Sequence, residues 1–242
     1  MVANMGGVFP CLARHSGDGH SIELPGVTAA VTPSCPDRSI VNCVMYTDTA
    51  ALSRSLDALS ALYESAGVRA WTVWVPNHDT DAAELLDHAG HLLDARPAAM
   101  VCELSAIEPP GIALDLSEPD MVEAARVNDV AYGLAGEFER AFRRLPPEPA
   151  YLYMARAGGV PACTLLTYEE DGECGIYLVA TLPEARGGGL ASALMAHALL
   201  EARERGCTTS SLQATARGRP VYKRLGYEEI GTMDMWERRR QV

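Results

Sequence analysis

The segment that most constrains the fold of this chain spans residues 178–192, where a strand-like run passes through Arg-Gly-Gly-Gly into an amphipathic helix. The first amides of such a helix have no intrahelical partner, and the helix dipole makes that end positive. Glycines at the junction let a phosphate approach the backbone without meeting a Cβ. The junction therefore predicts an anion site suited to a pyrophosphate. A flexible strand–helix turn without a ligand is the alternative.

The glycine spacing differs from two common phosphate-binding patterns. Neither G-x-G-x-x-G, typical of dinucleotide-binding folds, nor G-x-x-x-x-G-K-[ST], typical of P-loops, is present at this junction. The prediction of an anion site thus depends on the order strand, glycine loop, helix.

The composition indicates a globular protein. The chain has 242 residues, 48% hydrophobic and 21% charged, which allows one large domain or two small ones and excludes disordered or collagen-like chains. No run approaches the roughly 20 apolar residues of a membrane span, and the N-terminus lacks the basic start of a secretory signal, so no membrane association and a cytoplasmic location are expected. A net charge of −12 disfavours nucleic acid as a partner.

Cysteine and histidine spacing predicts neither disulfides nor a metal site. The seven cysteines form no C-x-x-C pair and are expected to be reduced. His88 and His91 could share a helix face, but no third ligand lies nearby in sequence. The cysteines are Cys11, Cys35, Cys43, Cys102, Cys163, Cys174 and Cys207.

Two prolines and a glycine at residues 107–111 divide the chain into a first half, residues 1–108, and a second half, residues 109–242. Trp71 and Trp74 of the first half are expected on one face of a packed strand. The hydrophobic pattern predicts, in the first half, a strand over 41–46, a helix over 49–66, a strand over 70–75, a short helix capped by Asp79 or Thr80, and a strand over 99–104.

The second half is expected to alternate strands and helices in a different order. A capping box of Ser117 with Asp120 would begin its first helix, and Arg238 to Arg240 would form a solvated tail. The predicted elements are a strand over 112–116, a helix from about 117, helix and loop over 128–144, strands over 151–155, 162–168 and 173–181, a helix over 190–205, a strand over 208–215, a short helix from Pro220 and a last strand over 229–236.

Two motifs of the second half resemble the GNAT N-acetyltransferase superfamily. The pyrophosphate loop of that family has the pattern [RQ]-x-x-G-x-[GA], which Arg186, Gly189 and Ala191 match. The strand end Val179-Ala180-Thr181, followed by Pro183, is similar to the family's splayed strand, whose free backbone groups pair with pantetheine amides.

The second motif extends from Leu212 to Tyr227 and resembles the strand, loop and helix that end in Y-x-x-L-G-F in this family. Tyr222 falls on the family's general-acid tyrosine. Thr215 stands where many members have asparagine, which puts the contact of that amide in doubt, and Tyr227 replaces the commoner phenylalanine. The resemblance covers residues 112–240.

The first half is similar, more weakly, to the degenerate N-terminal repeat of tandem GNAT proteins. Its strand at residues 71–76 is followed by a helix without Arg-x-x-Gly-x-Gly, so no CoA site is expected there. The resemblance implies an α/β (α+β) chain of two GNAT-like domains, each a mixed, mostly antiparallel twisted sheet flanked by helices. Residues 1–108 would be the degenerate domain and residues 109–242 the catalytic one.

The resemblance also implies an activity. Acetyl-CoA would be the cosubstrate, no metal would be needed, and a primary amine of a small molecule or a peptide N-terminus would attack directly. A homodimer is left open. Tyr222 would be catalytic, and the residues implied to bind the cosubstrate are Val179, Ala180, Thr181, Arg186, Gly187, Gly188, Gly189, Leu190, Ala191 and Ser192.

Three questions stay open at the level of sequence. The general base could be Glu137, Glu139, Glu173 or Tyr177, or a water. A covalent intermediate on Cys163 or Cys174 lacks any supporting Cys–His spacing. The competing class of function is a non-catalytic acyl-CoA-binding sensor or interaction module.

Overall fold

The computed structural model describes residues 1–240. Within them, short 3-10 turns lie at Ser39–Val41, Leu104–Ala106 and Pro183–Ala185. The α-helices are α1 (Val2–His15), α2 (Thr49–Ser65), α3 (Thr80–His88), α4 (Met121–Tyr132), α5 (Glu137–Ala141), α6 (Leu190–Glu204) and α7 (Arg219–Arg224). The strands are β1 (His20–Leu24), β2 (Val27–Val31), β3 (Cys43–Tyr46), β4 (Ala70–Pro76), β5 (Leu92–Ala95), β6 (Ala98–Glu103), β7 (Asp115–Leu116), β8 (Ala150–Ala157), β9 (Val160–Glu170), β10 (Glu173–Thr181), β11 (Thr209–Ala214) and β12 (Glu228–Arg239).

One mixed, mostly antiparallel sheet contains all these strands. Its order is β1-β2-β3-β4-β12-β6-β11-β10-β9-β8-β7, with β5 also paired to β12. Among the strands of residues 1–240, only the pairs β3–β4 and β10–β11 are parallel, and each parallel pair is joined by a crossover helix, as parallel strands require. The predicted fold class, a mostly antiparallel sheet flanked by helices, is confirmed.

The sheet is continuous across the boundary at residue 108, because each half contributes a strand that pairs with strands of the other half. β6, from the first half, pairs with β11 on one side and with the start of β12 on the other. β12, from the second half, lies against β4 along Met233–Arg239 and against β5 on its opposite edge. The hydrogen bonding of each half is thus completed by a strand from the other.

The buried side chains form three clusters on the two faces of this sheet. One cluster packs α1, α4 and α5 against strands of both halves, a second packs α6, and a third packs α2 and α3. Trp74 belongs to the first cluster and stacks on Phe9, whereas Trp71 belongs to the third and stacks on Tyr63. The expectation that both tryptophans share a face is wrong, because residues three apart on a strand point to opposite sides.

Two further local predictions are wrong. Asp120 alone caps α4, accepting the amides of Val122 and Glu123, while the hydroxyl of Ser117 is buried without a partner in the described chain. The segment from Arg238 is no solvated tail, because β12 continues to Arg239. Strand pairing with β4 supplies the hydrogen bonds that hold this basic segment in the sheet.

Several features of the described residues bear on the remaining expectations. All seven cysteines are buried and unbridged. Among residues 1–240, no helix has both the length and the apolar character needed to cross a bilayer, and no group of three or more potential ligand side chains is positioned to hold a metal ion. The division into two domains remains a prediction.

Candidate active site

The site lies where the parallel strands β10 and β11 separate. They pair only over Glu173–Gly175 and Thr209–Ser211. Beyond that point β10 continues along β9, while β11 continues along β6. The opening between the two strands predicts unpaired backbone groups, which a bound ligand can satisfy.

A backbone irregularity marks the wall of this opening. The register of β10 against β9 shifts between Tyr177 and Ala180, and Leu178 has a φ of +50°. A leucine in the left-handed region costs on the order of 1–3 kcal/mol and persists only where the surroundings impose it. Such bulges re-aim the strand next to functional sites, and here the bulge immediately precedes Val179.

The loop between β10 and α6 has the geometry of an anion cradle. Gly187 and Gly189 have φ values of +86° and +82°, which favour glycine. Gly189 caps α6 without any side-chain hydrogen bond to the helix. The first amides of the 15-residue helix α6 are therefore left for an external acceptor.

Arg186 holds this loop against two neighbouring elements. Its Nε donates to the carbonyl oxygen of Thr181 at 3.0 Å, and its Nη2 donates to the carbonyl oxygen of Ala131 at the end of α4, also at 3.0 Å. Both acceptors are neutral carbonyl groups, so neither offsets the positive charge of the guanidinium beside the helix end.

Tyr222 faces the same opening from α7. Its ring lies 6.1 Å from that of Tyr227, measured between centroids, and its hydroxyl has no protein hydrogen-bond partner in the part of the chain described. Burial raises the pKa of Tyr222 well above its usual value, and the neighbouring Tyr132 and Cys163 raise it further. The phenol is therefore protonated at neutral pH and available as a donor.

Tyr132, at the end of α4, is a site residue that the sequence analysis missed. Its hydroxyl donates to the carbonyl oxygen of Val179 at 2.6 Å. This hydrogen bond holds β10 next to the bulge, on the part of the strand that no longer pairs with β11. The signal in the sequence is weak, because an aromatic residue at the end of a helix is normally a packing residue.

These elements enclose a cavity of about 630 Å³. All the predicted site residues except Gly188 line it, and the structure adds residues from α4 and from the segment around α7. The predicted residues that line it are Val179, Ala180, Thr181, Arg186, Gly187, Gly189, Leu190, Ala191, Ser192 and Tyr222. A volume in the range of ligand pockets, about 300–1,000 Å³, fits a large organic ligand.

The charge of the lining is opposite to that of the chain. Arg186, Arg217 and Arg224 contribute side chains, and the described lining contains no carboxylate, although the chain carries a net charge of −12. Arg217 and Arg224 lie inside the second motif but were not predicted, because the Y-x-x-L-G-F pattern does not specify these positions. The three guanidinium groups and the amides of α6 favour an anionic ligand with more than one phosphate.

The two departures from the family pattern have identifiable roles. The Thr215 hydroxyl accepts a hydrogen bond from the Gly218 amide at 3.2 Å and lines the cavity. Tyr227 is buried, and its hydroxyl pairs with that of Ser210 at 2.6 Å. The first stabilises the loop before α7, and the second fixes the end of α7 to the sheet.

The candidate bases suggested by sequence lie outside this cavity. Glu137 forms a two-point ion pair with Arg38, at 2.6 and 2.9 Å, which lowers the pKa of its carboxyl. Glu139 pairs with Arg126 at 2.9 Å. Two other candidates, Glu173 and Tyr177, are engaged with α1: Glu173 binds the terminal ammonium, and the Tyr177 hydroxyl donates to Asn4 at 2.7 Å.

A comparison with protein families identifies the segment that carries this site. The model of the GNAT acetyltransferase domain matches residues 148–229, which include β9, β10, α6, β11 and α7. A search of curated proteins finds no significant match.

Solved structures with the same architecture extend over both halves. A GCN5-related N-acetyltransferase from Kribbella flavida superposes with a TM-score of 0.68 at 18% identity, covering 98% of this chain and 95% of that one. One from Sphaerobacter thermophilus gives 0.56 at 19% identity, covering 91% and 84%. A tandem GNAT protein from the clavulanic acid biosynthesis pathway gives 0.52 at 17% identity, covering 83% and 70%.

At these identities the structural neighbours establish the fold, while the family match and the glycine loop agree on the same segment of sequence. The splayed strands, the loop before α6 and the tyrosine of α7 occur within residues 148–229 in the order that the sequence resemblance predicted. The chain therefore contains a GNAT acetyltransferase domain.

Proposed function

We propose that the protein is an N-acetyltransferase that moves the acetyl group of acetyl-CoA to a primary amine by direct attack. The observation that carries this proposal is the arginine-lined cavity between the splayed strands, which joins a helix N-terminus to a protonated phenol. The acceptor would be a small molecule or a peptide N-terminus.

The chain offers a separate set of groups for each part of the donor. The amides at the start of α6, with Arg186 beside them, would hold the pyrophosphate. The carbonyl oxygens of Val179 and Thr181 already accept hydrogen bonds from Tyr132 and Arg186, so the backbone amides on this edge of β10 would pair with pantetheine. Acetyl-CoA would supply the activated thioester carbonyl, and a backbone amide at the bulge would stabilise the negative charge that develops on its oxygen.

Tyr222 would act as the general acid. The attacking nitrogen forms its bond to the carbonyl carbon and loses a proton, the carbon–sulfur bond breaks, and the Tyr222 hydroxyl donates a proton to the departing sulfur. The phenolate then regains a proton from solvent. Because the described lining contains no carboxylate, water is the favoured acceptor of the proton from the amine.

A calorimetric titration with acetyl-CoA tests donor binding. The variant Arg186→Glu with Gly189→Asp reverses the charge beside the α6 amides and should abolish binding. A matched control is Arg156→Glu with Gly158→Asp, which makes the same changes at the exposed end of β8 and in the turn that follows it, where Gly158 also has a positive φ. This control should bind as the wild type does, and equal binding by all three proteins would contradict the assigned site.

Release of free thiol from acetyl-CoA, measured over a library of amines, tests the reaction. Tyr222→Phe should lower turnover about 100-fold or more and leave the dissociation constant for acetyl-CoA within about twofold of the wild type.

The lack of a carboxylate in the described lining favours one competing function, a non-catalytic acyl-CoA-binding module. Tight binding of acetyl-CoA without thiol release for any amine would support that module and overturn the enzyme.

A further inference from the structure

The bulge of β10 is approached by two side chains of the same helix, α4. Tyr132 donates to the carbonyl oxygen of Val179 on the side of the active-site cavity. Asn128 lies four residues earlier and therefore on the same face of the helix. Unlike Tyr132, Asn128 is buried, with only 2% of its surface exposed. A buried amide at this place can act on the strand only through the protein interior.

The side-chain amide of Asn128 links α4 to β9. Its Nδ2 donates to the carbonyl oxygen of Ala124 at 2.9 Å and to the hydroxyl of Thr164 at 3.2 Å. Thr164 is completely buried. It is the partner of Ala180, the first residue of β10 that pairs with β9 again after the bulge. The hydrogen bond from Asn128 therefore holds β9 at the position where β10 resumes its pairing.

The next pair of these two strands is also held by side chains. Cys163 lies opposite Thr181, and the Cys163 Sγ is 3.3 Å from the Thr181 hydroxyl. Thr181 lines the active-site cavity, and its carbonyl oxygen accepts the hydrogen bond from Arg186. Two consecutive residues of β9 thus hold the part of β10 whose amides face the cavity.

The other polar atom of the Asn128 side chain, Oδ1, lies beside the bulge. It is buried and accepts no hydrogen bond within residues 1–240. Asn128, Thr164 and Leu178, the residue with the positive φ, line a common small cavity of about 10 Å³. A buried acceptor without a partner costs stability, so a contribution to stability alone does not account for an amide at this position.

We propose that Asn128 and Thr164 are positioning residues for acetyl transfer, which hold residues 178–181 where their amides meet the thioester. Neither residue lines the active-site cavity, so both act through the strand and not by contact with the substrate. The inference rests on the proposed function, in which an amide at the bulge stabilises the developing negative charge. A displaced amide stabilises that charge less, whereas the pyrophosphate contacts at α6 are unchanged. The effect should therefore appear in kcat and not in affinity.

Two substitutions of Thr164 separate positioning from stability. Thr164→Val removes the hydroxyl with little change of shape and should lower kcat about tenfold, with the dissociation constant for acetyl-CoA within about twofold of the wild type. Thr164→Ser keeps the hydroxyl and should retain kcat within about twofold, although the loss of a buried methyl group lowers stability. A kcat that instead followed stability across the two variants would overturn the inference.

Thr167→Val is the matched control on the same strand. Thr167 is also completely buried, and its hydroxyl has no hydrogen-bond partner in the described part of the chain, so this variant should retain kcat. Asn128→Leu removes the hydrogen bond from the other side. Combined with Thr164→Val, it should lower kcat no further than the more severe single change. Additive losses, or an equal loss in Thr167→Val, would contradict a joint role of the two residues.

Hydrogen exchange of the amides in residues 178–181, measured without any ligand, is a readout that does not require catalysis. Exchange in this segment should be faster in Thr164→Val than in the wild type and in Thr167→Val, while the amides of residues 173–177 should be unaffected. Unchanged exchange, or an equal increase along the whole chain, would overturn the inference while the proposed function stands. If the wild type releases no thiol with any amine, the proposed function fails, and the exchange data alone decide whether the pair holds the strand.

Discussion

The two halves each contain one strand–helix–strand unit with a parallel pair of strands, β3–α2–β4 and β10–α6–β11, but the helix ends differ. In the first unit the carboxylate of Asp48 accepts the amide of Ala51 at 2.7 Å and closes the start of α2. In the second unit Gly189 occupies the capping position and offers no side chain. The first amides of the helix are thus bound by a side chain of the protein in α2 and left free for a ligand in α6.

A second carboxylate completes the closure of the first half. Asp79 caps α3 through the Ala82 amide and also accepts hydrogen bonds from Tyr46, at 2.7 Å, and Thr49, at 3.2 Å. It therefore ties α3 to the corner between β3 and α2. Two protein anions thus occupy the N-terminal ends of α2 and α3, whereas the described lining of the second-half cavity holds three arginines and no carboxylate.

The difference between α2 and α6 shows that the helix dipole alone does not define a binding site. Every helix N-terminus offers the same unpaired amides, and the sequence decides whether a side chain of the protein or an external anion meets them. Asp at the capping position satisfies these amides with its own carboxylate, while Gly offers no side-chain acceptor and leaves space for a phosphate.

The largest effect on acetyl-CoA binding is expected from giving α6 an aspartate cap like that of α2. Gly189→Asp would place a carboxylate at the α6 amides, where it would compete with the pyrophosphate and repel it. We expect the affinity for acetyl-CoA to fall at least about 100-fold, or roughly 2.7 kcal/mol, in a calorimetric titration.

Gly189→Asn is the control for backbone strain, because asparagine tolerates the left-handed region and carries no charge. It should lose distinctly less affinity than the aspartate variant. Equal losses for the two variants would show that strain, rather than the added charge, closes the site.

Low pH is expected to lower the stability of the protein next, through a histidine that is buried in the first half. His91 is packed edge-on against Trp71, with ring centroids 4.7 Å apart, and neither ring nitrogen has a hydrogen-bond partner in the described structure. Burial, aided by the charge of Arg238, lowers the pKa of His91 to about 4. The unfolded chain binds a proton near pH 6.5, so this residue contributes stability above that pH and loses it as the pH falls towards 4.

The lost stability should reach roughly 3 kcal/mol, the shift converted at 1.36 kcal/mol per pH unit. Denaturant unfolding of the wild type from pH 7 to pH 4 should show this slope, and His91→Phe, which cannot titrate, should reduce it. An identical slope in the variant would mean that other groups cause the acid sensitivity.

The sequence predicted the second half more completely than the first. Its strands and helices from residue 150 onward lie close to their predicted positions, because each has a clear period and a glycine at its boundary. α1 was missed, since it contains Gly6, Gly7 and Pro10 and has no acidic residue in its first turn. Tertiary packing against β2, β3 and β9 stabilises this helix despite its poor propensity.

A single sequence does not predict the long-range features of the fold and of the site. Hydrophobic period specifies a strand but not its neighbour, so the insertion of β6 between β11 and β12 has no local signal. Local motifs predicted the glycine loop and Tyr222. Tyr132 enters the cavity through the packing of α4, which the motifs do not encode. Arg217 and Arg224 lie inside the second motif, but at positions that the Y-x-x-L-G-F pattern does not specify.

A moderate loss of stability is expected when the carboxylate of Asp79 is removed. Burial opposes the ionisation of Asp79, but hydrogen bonds from Tyr46, Ala82 and Thr49 outweigh it and lower the pKa of the carboxyl. Asp79→Ala should reduce the free energy of unfolding by about 1–2 kcal/mol at pH 7. Because the folded pKa is lowered, the contribution is complete above the unfolded pKa, and the difference from the wild type should shrink as the pH falls below about 4.

Asp79→Asn preserves an N-cap acceptor and should lose less stability at pH 7. Both variants should bind acetyl-CoA as the wild type does, since Asp79 does not line the second-half cavity. A large loss of acetyl-CoA affinity in either variant would contradict the separation of roles between the two halves.

The smallest effect is expected from removing the hydroxyl group of either of two tyrosines, one in each half, that form hydrogen bonds near the end of a strand. Tyr132 donates to the Val179 carbonyl beside the cavity, and Tyr46 donates to Asp79 in the first half. Tyr132→Phe should weaken acetyl-CoA binding between about two- and tenfold, because one neutral hydrogen bond contributes about 0.5–1.5 kcal/mol. Tyr46→Phe should lower stability without changing this affinity. If calorimetry instead gave equal affinities for the wild type and Tyr132→Phe, the bulge at Leu178 would hold the strand open without that phenol, and the backbone alone would fix the geometry of the site.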